Sequence, residues 1–474
     1  MRVSWAVLGA IAVLSAQAQD ASPVFRAGAA TANITPWLGV SIAGNMNDRK
    51  AAFIHDELHV RCLVLDDGAK QLAFAVVDSC MVPREIVLDA KQRITEATQI
   101  PAEHVLISAT HTHEAACATP VFQSDPDPEY QKYLAVKISD GVRCAVNNLA
   151  PAQIARGSVT VPDQVFNRRW KMKEGAIGPN PFGVVDKVQM NPPRASENLI
   201  EPSGPIDPEV AFIMVKAPDG RPVALFANYS LHYVGGEGPA HISADYFGMF
   251  ADRIQDLLGA DRLDPPFVGA MTNGTSGNIN NINFAVPGES KPPYAQMRHV
   301  AEAVAQDVYR ASREVEWLDY VSLDAATKEL TLGVRKATPE ELELARETVR
   351  KAEGREMKTL PEIYARETVL LAEYPDTVPV TVQALRIGNW GIAAIPCEVF
   401  VEIGLDIKAN SALKPAFTIE LANGYNGYLP TAAHHELGGY ETWRARSSYL
   451  EVGAADAIQS AALELLSQLE GRSK

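Results

Sequence analysis

The run Val105-Leu106-Ile107-Ser108-Ala109, followed at once by Thr110-His111-Thr112-His113, constrains this chain more than any other segment. A short, nearly continuous apolar run of this kind reads as a buried strand of an α/β protein. The carboxyl end of such a strand is where α/β proteins place their chemistry. Two histidines two apart at that end present their imidazoles to one crevice, and neutral imidazole is the commonest protein ligand for a zinc-like ion. The same pair would also serve as a loop cap and a core hydrogen bond, so the metal reading depends on ligands elsewhere.

Strand patterns recur at 58–65, 71–77, 105–109, 153–161, 210–215, 223–229, 266–271, 320–331, 378–387, 390–395 and 417–421. Helical patterns fall at 83–98, 128–148, 244–258, 294–313, 339–353, 360–371, 400–412 and 453–470. Asp66-Asp67-Gly68 and Pro218-Asp219-Gly220 read as hairpin turns. Alternating strands and helices with hairpins among them predict an α/β fold (mixed α+β), with layered mixed sheets flanked by helices. No linker divides the chain, so 19–474 is read as one catalytic domain, with 338–374 as a helical insertion standing off it. Within that insertion Ala345-Arg346-Glu347-Thr348-Val349 is repeated at Ala365-Arg366-Glu367-Thr368-Val369, which predicts two similar helices in a hairpin. The Pro-, Gly- and Asn-rich stretches 170–208 and 278–293 read as loops, and loops this long usually serve as lids or binding walls.

Composition narrows the partners. The formal net charge of -15 disfavours nucleic acid and a polybasic membrane anchor. The opening Met1-Arg2-Val3, the apolar stretch from Ala6 to Leu14 and the small residues Ala16-Gln17-Ala18 read as a secretory signal peptide over 1–18. Its apolar part is about half of the ~20 residues a membrane span requires. The expected product is secreted or periplasmic, with no transmembrane segment. The five cysteines show no CxxC pair, so this is no disulfide scaffold. The pattern allows one or two bridges, with Cys62 and Cys80 on or beside adjacent strands, and the odd count leaves at least one thiol free. Cys397 reads as packing.

Further candidates follow other strand ends. His232 closes the segment 226–232 and precedes a glycine-rich turn, with His241 and Asp245 beyond it. Glu398 closes an apolar strand just before a helix, as a ligand or as a charge favourable to the helix dipole. The loop Gly424-Tyr425-Asn426-Gly427-Tyr428, followed by His434, His435 and Tyr440, offers phenols for packing or for a metal or oxyanion. Ser276, among glycine and asparagine after strand 266–271, sits in a polar turn that lacks the G-x-S-x-G order of a nucleophile elbow.

Taken in order, these pieces resemble the neutral ceramidase family of zinc-dependent amidohydrolases. The matching elements are Ile34-Thr35-Pro36, His55-Asp56, Asp78, Thr110-His111-Thr112-His113 and Asn167-Arg168. His232, Ile242-Ser243-Ala244-Asp245, Ser276-Gly277-Asn278, Pro396-Cys397-Glu398, and Tyr428 with Tyr440 continue the series. The resemblance implies that His111, His232, Glu398 and Tyr428 hold Zn2+, and that His113, Arg168 and Tyr440 line the reacting centre. Ser276 would be the active-site serine, as nucleophile or as positioning group. The implied activity is hydrolysis of an N-acyl amide bond in a small-molecule amide or ceramide-like lipid substrate. Three departures stand out. The family's G-D-V-S-P-N turn is here Asn273-Gly274-Thr275-Ser276-Gly277-Asn278, and its glycine-rich run after the histidines is Glu114-Ala115-Ala116-Cys117. Glu114 so near the metal is expected to alter substrate charge preference. The sequence runs only a short way past the catalytic block, so the family's carboxyl-terminal immunoglobulin-like domain is not expected here. The competing readings are a metal-independent serine acyl-hydrolase using Ser276 and a non-catalytic exported binding protein.

Overall fold

A computed structural model describes residues 23–472 except 237 and 239. The leader read at 1–18 lies outside the described residues.

One plan occurs three times. Gln71–Val77 and Val105–Ala109 pair in parallel and are joined by the helix Arg84–Thr98. Pro222–Tyr229 and Val268–Asn273 pair in parallel across the helix Asp245–Leu257. Trp390–Ala394 and Ala416–Ile419 do the same across the helix Val401–Asn410. Each parallel pair is extended by antiparallel strands, which a tight turn can join. They are His59–Asp66 with Arg26–Asn33, Glu209–Lys216 with Gln153–Thr160, and Thr377–Ile387 with Leu323–Gly333. Both predicted hairpin turns lie between paired antiparallel strands.

Period-two alternation sorts the side chains of these strands. Leu63, Phe74 and Leu106 from the first sheet, Ile213, Phe226 and Val268 from the second, and Leu385, Ile392 and Ile419 from the third meet in one shared core. The opposite faces are covered by helices. Val60, Cys62 and Ala75 pack under Arg84–Thr98 and Pro128–Asn147. Phe212 and Leu225 pack under Asp245–Leu257 and Ala295–Ser312. Val382 and Ala393 pack under Val401–Asn410 and Ala454–Gly471. A shared inner core aligns the carboxyl ends of all three parallel pairs, and the candidate ligands follow those ends.

The structure corrects three expectations and adds one strand. The stretch 170–208 is not featureless: Arg169–Met172, Val188–Met190 and Leu199–Pro202 form a three-stranded sheet. Strands of three or four residues are too short to show a period. The strand Arg26–Asn33 is rich in alanine and lacks the β-branched signature, so it escapes a pattern search. All five cysteines are free, because Cys62 faces the helix Pro128–Asn147 at Gly141 rather than Cys80. The paired helices Pro339–Lys351 and Leu360–Ala372 each begin with a threonine–glutamate capping box, but they do not stand off. Ala352, Met357, Ile363 and Tyr364 are buried in the core of the first layer, and Arg446 holds Glu367 at 2.7 Å. Among the described residues no helix is long and apolar enough to cross a membrane.

Candidate metal centre

Beyond Ala109 the chain leaves the sheet but stays anchored. Thr110 N–H donates to Val77 O, and His111 N–H donates to Ser79 O at 2.9 Å. His111 adopts φ of +78°. Such a backbone costs a non-glycine residue on the order of 1–3 kcal/mol and persists where surrounding structure enforces it. The enforced turn leaves His111 Nε2 3.2 Å from His113 Nε2 and 3.0 Å from His232 Nε2. Glu398 Oε2 lies 3.3 Å from His111 Nε2 and 3.8 Å from His232 Nε2. All four side chains are buried.

Hydrogen bonding orients both rings. His111 Nδ1 is 2.8 Å from Cys80 O, and a carbonyl only accepts, so Nδ1 carries the proton. His232 Nδ1 is 3.1 Å from Ser276 O and is protonated for the same reason. Arg168 Nη1, which can only donate, faces His232 Nε2 at 3.4 Å. Burial first, and then neighbouring His111, pushes His232 well below its ordinary pKa. The Nε2 atoms of the two rings face each other across 3.0 Å. Glu398 Oε2 is buried beside them without a hydrogen-bond partner. Burial opposes charge on Glu398, but His111, Tyr428 and Arg168 outweigh it and hold the carboxyl below its usual range. Two imidazole nitrogens converging with a carboxylate oxygen that lacks a hydrogen-bond partner suit a divalent cation. His111, His232 and Glu398 offer donor atoms within 4.8 Å of one another.

The remaining expected residues surround this cluster. Glu398 and Tyr428 are partners in a two-stranded parallel pair, which sets the phenol beside the carboxylate. Arg168 Nη2 donates to Tyr428 Oη at 3.2 Å and to Gly277 O at 2.7 Å, and its Nε donates to Glu441 Oε1 at 3.0 Å. Tyr440 packs edge-on against Tyr428 with ring centroids 5.7 Å apart. Burial, then Glu398, raises both phenols well above their ordinary pKa, so both keep their protons. His113 stacks on Tyr233, centroids 3.6 Å apart, and burial holds it neutral.

Ser276 lies on the other side of His232. Its hydroxyl donates to Glu420 Oε1 at 2.6 Å and stands 3.3 Å from His232 Nδ1, fully buried. At the neighbouring Gly277, a Cβ would fall 2.6 Å from Glu398 O, and the Gly277 N–H donates to Val399 O at 2.8 Å. Glycine at 277 therefore permits the serine turn to close on the Glu398 strand. Glu114 is 1% exposed and accepts from Thr112 Oγ1. His241 bonds Tyr294, and His434 lies 3.3 Å from Glu402, outside the donor set. Tyr425, one of the phenols offered by the 424–428 loop, donates to Glu398 Oε1 at 2.9 Å, whereas pattern reading missed the buried acids Glu420 and Glu441. A carboxylate ending the apolar strand Ala416–Ile419 was the available signal for Glu420.

Buried neutral histidines have a consequence for stability. His113 and His232 stay neutral in the fold but become protonated in the unfolded chain below about pH 6.5. The unfolded state then binds more protons, so stability falls as pH drops. Half-buried His435, pushed by burial to about 4, acts in the same direction. We expect the urea midpoint of metal-free protein to decline from about pH 6.5 toward pH 4. A flat midpoint over that range would show that these rings are not buried in the neutral form.

A cavity of about 360 Å³ reaches this region, bordered by Tyr440, Trp443, Met46, Ile177 and Leu360. A larger one, about 540 Å³, contains none of the donors and is bordered by Val234, Gly235 and Gly236 just past His232.

Fold and donor set together define a mixed α/β protein with a candidate divalent-metal centre at the carboxyl ends of its parallel strands. No protein family and no curated protein matches the chain by sequence. Solved structures match it well, and the fold is neutral ceramidase-like. A crystal structure of neutral ceramidase from Pseudomonas aeruginosa superposes with TM-score 0.71 and 18% identity over 95% of this chain and 75% of that one. A ceramidase complexed with C2 gives TM-score 0.72 and 17% identity over 95% of this chain and 76% of the other.

Proposed function

We propose that this chain is a zinc-dependent amidohydrolase cleaving the N-acyl amide bond of a lipid-like substrate. The observation that carries the reading is the convergence of two imidazole nitrogens and a carboxylate oxygen without a hydrogen-bond partner on one point. His111, His232 and Glu398, with Tyr428 beside them, would hold the ion; two nitrogens and a carboxylate are a familiar catalytic zinc set. Zinc bound there supplies Lewis acidity toward a water and a carbonyl.

The chain's own groups supply the rest. Arg168 carries a permanent charge fixed by Glu441 and Gly277 O, suited to a developing oxyanion. Tyr440, with its proton retained, is a second donor to that oxyanion. Neutral His113 can accept or give a proton at Nε2. The groove at Tyr440, Trp443 and Met46 suits an apolar acyl chain. With 1–18 as a secretory leader, the domain 19–474 would act outside the cytoplasm. A metal-independent serine mechanism is disfavoured, since the Ser276 hydroxyl is committed to Glu420 in a fully buried position.

The test is a hydrolysis screen of N-acyl lipids and N-acyl amino acids before and after chelation. Activity lost on chelation and restored by zinc is expected. Activity that persists in metal-stripped protein overturns the proposal, and bound zinc with no turnover of any amide favours a binding protein.

A further inference from the structure

Glu420 directly follows the strand Ala416–Ile419 and is fully buried between the second and third sheets. Both of its carboxyl oxygens are engaged by the chain. Oε1 accepts from Ser276 Oγ at 2.6 Å. Oε2 accepts from Val399 N–H at 2.6 Å and from Ser276 N–H at 3.2 Å. Each of these donors adjoins a different candidate ligand. Ser276 O and Oγ are the groups facing His232 Nδ1, at 3.1 and 3.3 Å. Val399 is the residue after Glu398, on the same two-residue strand.

We infer that Glu420 is a positioning residue for the metal centre, orienting His232 through Ser276 and fixing the Glu398 strand through Val399. This rests on the metal reading above. Partners behind metal ligands fix ring orientation and tautomer. The Ser276 hydroxyl donates its hydrogen bond to Glu420, which leaves oxygen lone pairs facing His232 Nδ1–H and keeps Nε2 aimed at the cluster. The same carboxylate holds the backbone from which Glu398 projects. One side chain thus ties together two ligands that lie 166 residues apart in the numbering, from position 232 to 398. The assignment also gives Ser276 a role that needs no exposure: it relays the position of Glu420 to His232.

The test measures zinc retention against a chromogenic chelator for the wild type, Glu420→Gln, Ser276→Ala and the double variant. Melting of each metal-free protein controls for folding. Glu420→Gln is expected to weaken zinc binding by about 10–100-fold, the usual range for such partners. Its metal-free melting temperature should stay within a few degrees of the metal-free wild type. Ser276→Ala should weaken binding less, because Val399 keeps its acceptor. Adding Ser276→Ala to Glu420→Gln should change affinity by no more than about twofold, since both cut one link. Wild-type affinity in Glu420→Gln overturns the proposal, as do effects that multiply in the double variant. If Glu420→Gln does not fold, Ser276→Ala decides alone, and undiminished affinity there overturns the link. A wild-type protein that binds no zinc overturns the metal centre itself, a result distinct from the others.

Discussion

Replacing His111 with alanine is expected to abolish stoichiometric zinc binding and lower kcat/KM on an N-acyl amide by more than about 10³-fold. That exceeds the roughly 10²–10³ typical of removing one oxyanion donor, because the ring is the hub of the cluster. Its Nε2 lies 3.0 Å from His232, 3.2 Å from His113 and 3.3 Å from Glu398. No neighbour can take its place, since the approach depends on the +78° backbone turn and the Cys80 carbonyl. The fold should survive. The strand Val105–Ala109 ends before this residue, and the neighbouring backbone bonds to Val77 and Ser79 do not use its side chain. Metal content by atomic absorption, with steady-state rates, checks this. A variant retaining one zinc per chain and near-normal turnover removes the proposed centre.

Arg168→Met should be costly in two separable ways. Its guanidinium bonds Glu441, Gly277 O and Tyr428 and faces His232. Deleting that charge leaves Glu441, itself fully buried, with Arg169 as its remaining ion pair. Because that pair remains, the loss of stability should fall below the about 3–5 kcal/mol typical of leaving a buried charge unpaired. Loss of the oxyanion donor should lower kcat/KM by about 10²–10³ on top of that. Arg168→Lys separates the two. It restores a charge near Glu441 and hence part of the stability, but a single ammonium cannot span the four partners. Urea denaturation and kinetics of both variants test the account. Rates within tenfold of wild type in a folded Arg168→Met protein would exclude the arginine from the reacting centre.

Much of this arrangement was legible before any coordinates. The helix Pro128–Asn147 and the hairpin around Asp219 follow their local signals closely, because capping, turn chemistry and side-chain period are properties of neighbouring residues. The donors His111, His232 and Glu398 stand where apolar strands end, and the structure brings them together. Less visible was the three-stranded sheet in 170–208, whose strands are too short for a period to register. The hairpin of capped helices was read as standing off, whereas Tyr364 and Ile363 bury into the first layer. Amphipathic pattern identifies a face that must be covered, but not what covers it.

The order of elements, the ends of the strands and the chemical type of each donor are written in the chain, because each depends on residues within a few positions. The partners that make those donors into a centre are not. Glu420 reaches Ser276, Glu441 reaches Arg168, and Cys80 turns a backbone carbonyl to His111, across separations that local spacing does not encode. Which imidazole nitrogen is bare depends on carbonyl groups that every residue possesses. Only packing three sheets on one core selects the carbonyls that face the rings.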